Sequence, residues 1–121
     1  MPWIYHQSTG RLEYNGVAAA SGYSGAPGAV NNPDREFEVL IGPIPRGNYR
    51  IGVLQLNGGH MGHDVIPLTP VGHNAHRRTG FFLHGDSIRS PGTASQGCVV
   101  LQHDIRMRIN QSLDKVLQVV R

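Results

Sequence analysis

Apolar side chains along this sequence come in short runs of at most four residues, broken by glycine, proline and polar clusters, which is the rhythm of β-strands and turns. Trp3 to Gln7 and Arg11 to Tyr14 read as two strands, with Ser8-Thr9-Gly10 as the turn between them. From Gly16 to Asp34 the chain is small and flexible, too long and too poor in apolar residues for an ordinary connection, and an ordered functional loop or lid is expected there. Glu36 to Ile41 alternates into a turn over Gly42 to Gly47, and Asn48 to Val53 is a strand. His60 to His76 reads as loop, with Val65 to Leu68 as an edge strand in which Pro67 is tolerated. Phe81 to His84 is a buried strand ending at Gly85, and Val99 to Leu101 is another. Asp104 is the expected N-cap of a short helix carrying Ile105 and Ile109 four apart, and Lys115 to Val120 is a closing strand. The pattern predicts one mainly β domain over residues 1–121, with one short helix near the C-terminus.

Composition narrows this. Sixteen Gly and eight Pro in 121 residues would interrupt any long helix, so a helical bundle is excluded. A hydrophobic share of 39% with a net charge of only +3 argues against disorder. The single Cys98 rules out an intramolecular disulfide. Ten arginines and one lysine are scattered, with Arg77-Arg78 the only adjacent pair, so the basic stripe that nucleic acid needs is missing. No apolar run reaches the roughly 18 residues that cross a bilayer, so membrane insertion is not expected. The first residues, Met1-Pro2-Trp3-Ile4-Tyr5-His6, carry neither the basic nor the apolar stretch of a secretory signal, and synthesis in the cytoplasm without one is expected.

One constellation carries chemistry. Cys98 follows Ser95-Gln96-Gly97, between a glycine-containing turn and an apolar strand. A lone buried cysteine is commonly an inert small hydrophobe. A nucleophilic thiol instead needs access, a base and oxyanion donors, and a glycine just before it lets backbone N–H groups approach the reacting atom. His84 ends a strand fourteen residues earlier, a spacing that one strand-loop-strand excursion can close. A rival chemistry lies in His60-Met61-Gly62-His63 and His73-Asn74-Ala75-His76, whose His-x-x-His spacing invites zinc, although both pairs sit in glycine-rich loops without a glutamate between them.

The run Phe81-Phe82-Leu83-His84-Gly85-Asp86 followed by Ser95-Gln96-Gly97-Cys98-Val99-Val100-Leu101 resembles the signature of the L,D-transpeptidase catalytic domain. Upstream, Gly42 to Ile51 is similar to that family's Thr-Pro-x-Gly-x-(aromatic)-x-Ile strand. The likeness is closer to the L,D-transpeptidase-like effectors delivered by type VI secretion systems, carried by Tyr23-Ser24-Gly25, Asn31-Asn32-Pro33, Gly42-Pro43-Ile44-Pro45-Arg46-Gly47 and Gly80 to Asp86. These motifs span almost the whole chain in one order.

The resemblance implies a compact β-sandwich of that family and an enzyme of peptidoglycan. Cys98 would attack the diaminopimelate–D-alanine carbonyl of a stem peptide, giving an acyl-enzyme, then L,D-carboxypeptidase cleavage or D-amino acid exchange. His84 would be the base, oriented by the backbone carbonyl of Gly85, with the Asp86 carboxylate as a rival orienting group. Gly97 and Cys98 amides would form the oxyanion site, and Ser95 would tie down the turn. The larger family often has arginine two residues after the cysteine; here Val100 stands there, leaving Arg78 and Arg89, with Tyr23, as candidate substrate contacts. No cofactor or metal is required. The resemblance further implies the secretion machinery and a cognate immunity protein as partners, and action in the periplasm of a target bacterium. The alternatives are a non-catalytic wall-binding module and a zinc amidase built on the histidine pairs.

Overall fold

The computed structural model describes residues 2–121. Its ten strands are β1 (Trp3–His6), β2 (Arg11–Tyr14), β3 (Val17–Ser21), β4 (Tyr23–Ser24), β5 (Gly47–Ile51), β6 (Gln55–Asn57), β7 (His63–Val71), β8 (Phe81–His84), β9 (Val99–Val100) and β10 (Val116–Val120). The one α-helix among the described residues, α1, spans His103–Gln111. Nine strands follow one path in the order β3-β2-β1-β10-β5-β7-β8-β9-β4, and β6 pairs with β7 off that path.

Alternation of side chains builds the core. Trp3 and Tyr5 of β1, Tyr49 and Ile51 of β5, and Leu117 and Val119 of β10 all turn to the same interior, while their neighbours face outward. β1 and β10 run parallel, with Trp3 opposite Leu117 and Tyr5 opposite Val119, so the two ends of the chain are joined within the sheet. Tyr49 packs edge-on against Phe81 and donates its hydroxyl to Pro45 O at 2.8 Å, which satisfies the one polar atom of a buried ring. On α1, Ile105 and Ile109 are buried one helical turn apart in this core.

Several expectations fail, each for a physical reason. The stretch from 16 to 34 is not a lid: Val17–Ser21 pairs with β2 at the sheet margin, and Tyr23–Ser24 pairs with β9 next to the cysteine turn. Its small side chains suit a strand that packs little on either face. Residues 36–41 are turns and not a strand. β7 is a nine-residue strand between β5 and β8, not an edge. Two prolines survive there because of where their missing N–H groups point. Pro67 O accepts from Gly52 N at 2.9 Å, just where β5 has ended and β6 has not begun. By the two-residue period Pro70 faces the other way, past the start of β8, whose pairing begins at Leu68↔Phe81. The helix starts two residues earlier than expected, at His103, with Gln102 as N-cap making no side-chain cap bond; Asp104 lies in the first turn, where its charge suits the helix N-terminus.

Candidate active site

The parallel pairing of β8 with β9 creates the site. Leu83 lies opposite Val99 and His84 opposite Val100, so Cys98, the residue just before β9, continues the register opposite Phe82 and, by the two-residue period, falls on the same face of the sheet as His84. Both side chains line one cavity of about 610 Å³, together with Leu40, His60, Met61, Phe82 and Gln96 among others.

Each group is held in place. His84 is buried, and its Nδ1 donates to Gly85 O at 2.8 Å, which leaves Nε2 as the unprotonated nitrogen. Asp86 does not reach the imidazole. Its carboxylate accepts from Tyr23 Oη at 2.5 Å, from Ser87 N at 2.8 Å and from Gly92 N at 3.1 Å, closing the loop that follows β8. Asp86 therefore acts on His84 only through its charge. Burial lowers the affinity of His84 for a proton, helped by the positive charges of Arg106 and His60 and opposed by the Gly85 hydrogen bond and Asp86. The Cys98 thiol is pushed up by burial, against a backbone hydrogen bond from Phe82 and the Arg78 charge. The thiol donates to Gly80 O at 3.5 Å. In the resting molecule the pair is thus thiol and neutral imidazole.

The turn that presents the thiol is built around Ser95, which is 1% exposed. Its hydroxyl donates to Cys98 O at 2.7 Å and accepts from Gly97 N at 3.1 Å and Gly25 N at 2.9 Å. Ser24 Oγ adds a bond to Gly97 O at 3.4 Å and accepts from Ile44 N at 2.8 Å. These bonds correct the expected oxyanion site: the Gly97 N–H is committed to Ser95 and is not offered to an oxyanion. Gly97 is needed for another reason. Its φ of +124° lies where side chains are strained, and a Cβ there would run into the Arg78 guanidinium.

The three expected substrate contacts take other places. Arg78 is buried, with its guanidinium donating to the carbonyls of Glu36, Pro43, Gly42 and Gln96, so it braces the 36–43 segment against the cysteine turn. Arg89 is exposed and lines neither cavity of the site region. Tyr23 is spent on Asp86 and on Ala94 N at 2.9 Å.

The histidine pairs do not converge. His60 lines the Cys98 cavity, whereas His63 lines a neighbouring one. His73 contacts Asn48 O through Nε2 and accepts from Ala75 N at Nδ1, and His76 Nε2 lies 2.7 Å from Glu36 Oε2. Among the described residues no group of three potential ligands is arranged to hold a metal ion. Two residues that the sequence did not single out matter most here. Glu36 is a buried carboxylate gathering Gln7, Arg46 and His76, and Arg106 is a buried guanidinium on α1. Arg106 had a faint signal, a charge beside Ile105 on the helix that feeds the core; Glu36 had none.

The profile of the Tlde1 domain matches residues 18–120. The chain belongs to that family. These are type VI effectors of L,D-transpeptidase-like kind. Among solved structures, this Tlde1 domain is similar to a cysteine-to-serine variant of the Enterococcus faecium L,D-transpeptidase, with a TM-score of 0.57 and 15% identity over 98% of the present chain. It spans about half of that structure, 49% of its length, and the likeness establishes the fold. No curated protein sequence matches it.

Proposed function

We propose that this domain is a cysteine acyltransferase of the peptidoglycan stem peptide. The observation that supports the reading best is the shared cavity of Cys98 and His84, in which the Gly85 carbonyl fixes the imidazole with Nε2 bare. Nε2 takes the Cys98 proton as the sulfur attacks the carbonyl between diaminopimelate and the terminal D-alanine. The same imidazolium then returns that proton to the departing amine, leaving a thioester on Cys98. Water as acceptor gives L,D-carboxypeptidase cleavage; a free D-amino acid gives exchange. The Cys98 amide is the backbone donor assigned to the developing oxyanion, while the Gly80 carbonyl, an acceptor, holds the thiol. Family membership supports delivery into the periplasm of a neighbouring bacterium, with a cognate immunity protein protecting the producer.

The test is muropeptide analysis by mass spectrometry with the wild type and Cys98→Ala side by side, together with intact-protein mass after brief mixing with a tetrapeptide stem. The wild type should release D-alanine and carry the mass of the acyl group, and Cys98→Ala should do neither. Turnover that survives Cys98→Ala would sink the thiol mechanism. Loss of turnover on adding a chelator would favour a metal amidase.

A further inference from the structure

A second cavity, of about 590 Å³, is lined by neither Cys98 nor His84. It is walled by Gly85, Asp86, Val100 and Leu101, by Tyr23 and His63, and by His103 and Arg106 of α1, among others. Met61 and Asp86 line both cavities, so the two are adjacent.

Arg106 is the unusual member. It is 6% exposed, yet among the described residues no carboxylate lies within ion-pair distance of it. Its Nη1 donates to Asp64 O at 2.7 Å and to His63 O at 3.2 Å, and its Nε has no partner. Its Nη2 lies against Gly85, 3.0 Å from where a Cβ would be. The nearest acid in charge terms, Asp64, spends its carboxylate on His103 Nε2 at 2.8 Å and His63 Nδ1 at 3.4 Å. The acid that does line the cavity, Asp86, is occupied by Tyr23, Ser87 and Gly92. A desolvated cation with only carbonyl partners and an unused N–H is costly to keep unless an anion completes it. A guanidinium is matched in shape by a carboxylate, which takes two parallel N–H bonds.

We propose that this second cavity is a carboxylate subsite, in which Arg106 grips a free carboxylate of the peptide whose bond reacts at Cys98. The inference rests on the acyl-transfer reading for the identity of the ligand, and on the cavity and the unpartnered guanidinium for its chemistry. It also gives Gly85 a double position: its carbonyl orients His84 while its α-carbon sits against the guanidinium, with no side chain between. Anchoring a carboxylate here would fix how the peptide crosses His84 on its way to the sulfur.

Binding, separate from turnover, tests it. The full chain carrying Cys98→Ala is titrated with an N-acetylated tetrapeptide stem, and with a panel in which each carboxylate in turn is converted to carboxamide. One amide is expected to bind at least about tenfold more weakly, and that loss should shrink to under about twofold when Arg106→Gln is added. Equal affinity across the panel overturns the proposal, as does a loss that Arg106→Gln leaves unchanged. Arg106 is buried, so Arg106→Gln could fail to fold, and a second readout is taken without it. The Arg106 Nε–H resonance of the ¹⁵N-labelled Cys98→Ala protein should move with the acid peptide and stay still with the critical amide; a resonance that never moves overturns the subsite. If the peptide binds as expected but the wild type forms no thioester, the cysteine mechanism falls and the subsite stands. If thioester forms at normal rates and the amide panel is flat, the subsite falls and the cysteine mechanism stands.

Discussion

His84 Nδ1 donates to the carbonyl oxygen of Gly85, its own successor in the chain, at 2.8 Å. A base oriented by its neighbouring backbone needs no carboxylate partner, which frees Asp86 to close the following loop with Tyr23. It also leaves the imidazole without a close negative charge to hold a proton. Burial therefore dominates, and His84 stays neutral at lower pH than a free imidazole does.

That protonation state can be read from a pH profile. With the His84 pKa lowered and the Cys98 pKa raised, the ligand-free protein is thiol plus neutral imidazole between the two. The acid limb of kcat/KM is expected below about pH 6.5, the ordinary value for histidine. Iodoacetamide should alkylate Cys98 several-fold more slowly at pH 7 than it does a free thiol with a pKa of about 8.5, since less thiolate is present. Alkylation that titrates with a midpoint under pH 7 would mean a preformed ion pair and overturn this picture.

Ser95 is the keystone of the cysteine turn, one hydroxyl serving two backbone N–H donors and one carbonyl acceptor. Ser95→Ala leaves the Gly25 and Gly97 amides and the Cys98 carbonyl without it in a buried place. Each buried group left unsatisfied costs about 1–3 kcal/mol, so a loss of roughly 3 kcal/mol in urea unfolding is expected. Turnover should fall at least about tenfold in the protein that remains folded, because the sulfur loses its fixed position. An unchanged urea midpoint would show that the turn is held by something else.

Local turns were more legible in the chain than long-range pairing. The strand end at His84 and the turn role of Ser95 were legible because a strand-end His-Gly and a Ser-x-Gly-Cys turn are local patterns. The strands β1, β2, β5, β8 and β10 were legible too, since half-buried strands alternate visibly. β3 was not, because Val-Ala-Ala-Ala-Ser has small side chains and its pairing with β2 is decided by a partner. β7 was hidden by Pro67 and Pro70, whose tolerance depends on where neighbouring strands stop. Arg78 reads in sequence as a candidate substrate contact, and only the folded chain brings the carbonyls of Glu36, Gly42, Pro43 and Gln96 around it.

That cage makes Arg78 a brace whose charge matters less than its donors. Arg78→Met keeps an apolar stem but removes the guanidinium, whose Cζ lies 5.5 Å from the Phe81 ring centroid, and strands those carbonyls in a buried setting. A loss of about 3 kcal/mol or more is expected from at least two carbonyls left unsatisfied. Arg78→Lys should recover only part of it, since an ammonium cannot reproduce the guanidinium fork. Full recovery by lysine, measured as the urea midpoint, would show that charge alone is required.

Glu36 sets the response to acid. Burial works to raise its pKa, but hydrogen bonds from Gln7, His76 and Arg46 outweigh that and hold it down to about 2. In the unfolded chain an ordinary glutamate titrates near 4.3. Because the folded pKa is the lower one, the native state gains stability from this carboxylate above about pH 4.3, and loses it progressively as the pH falls toward 2. Glu36→Gln should therefore be less stable than the wild type at pH 7, with the gap narrowing through that window and closing at its acid end. Melting temperatures of the two proteins from pH 7 down to pH 2 check this. The cluster also joins β1 to the segment that Arg78 braces, through Gln7 Nε2, which donates to both Glu36 Oε1 and Ile44 O at 2.9 Å. Protonating Glu36 should therefore loosen residues 36–44 first, and Leu40, on the wall of the Cys98 cavity, moves with them. Amide exchange at residues 36–44 should quicken in acid before exchange in β5 and β10 does, and simultaneous loss of protection everywhere would show that the cluster does not act locally.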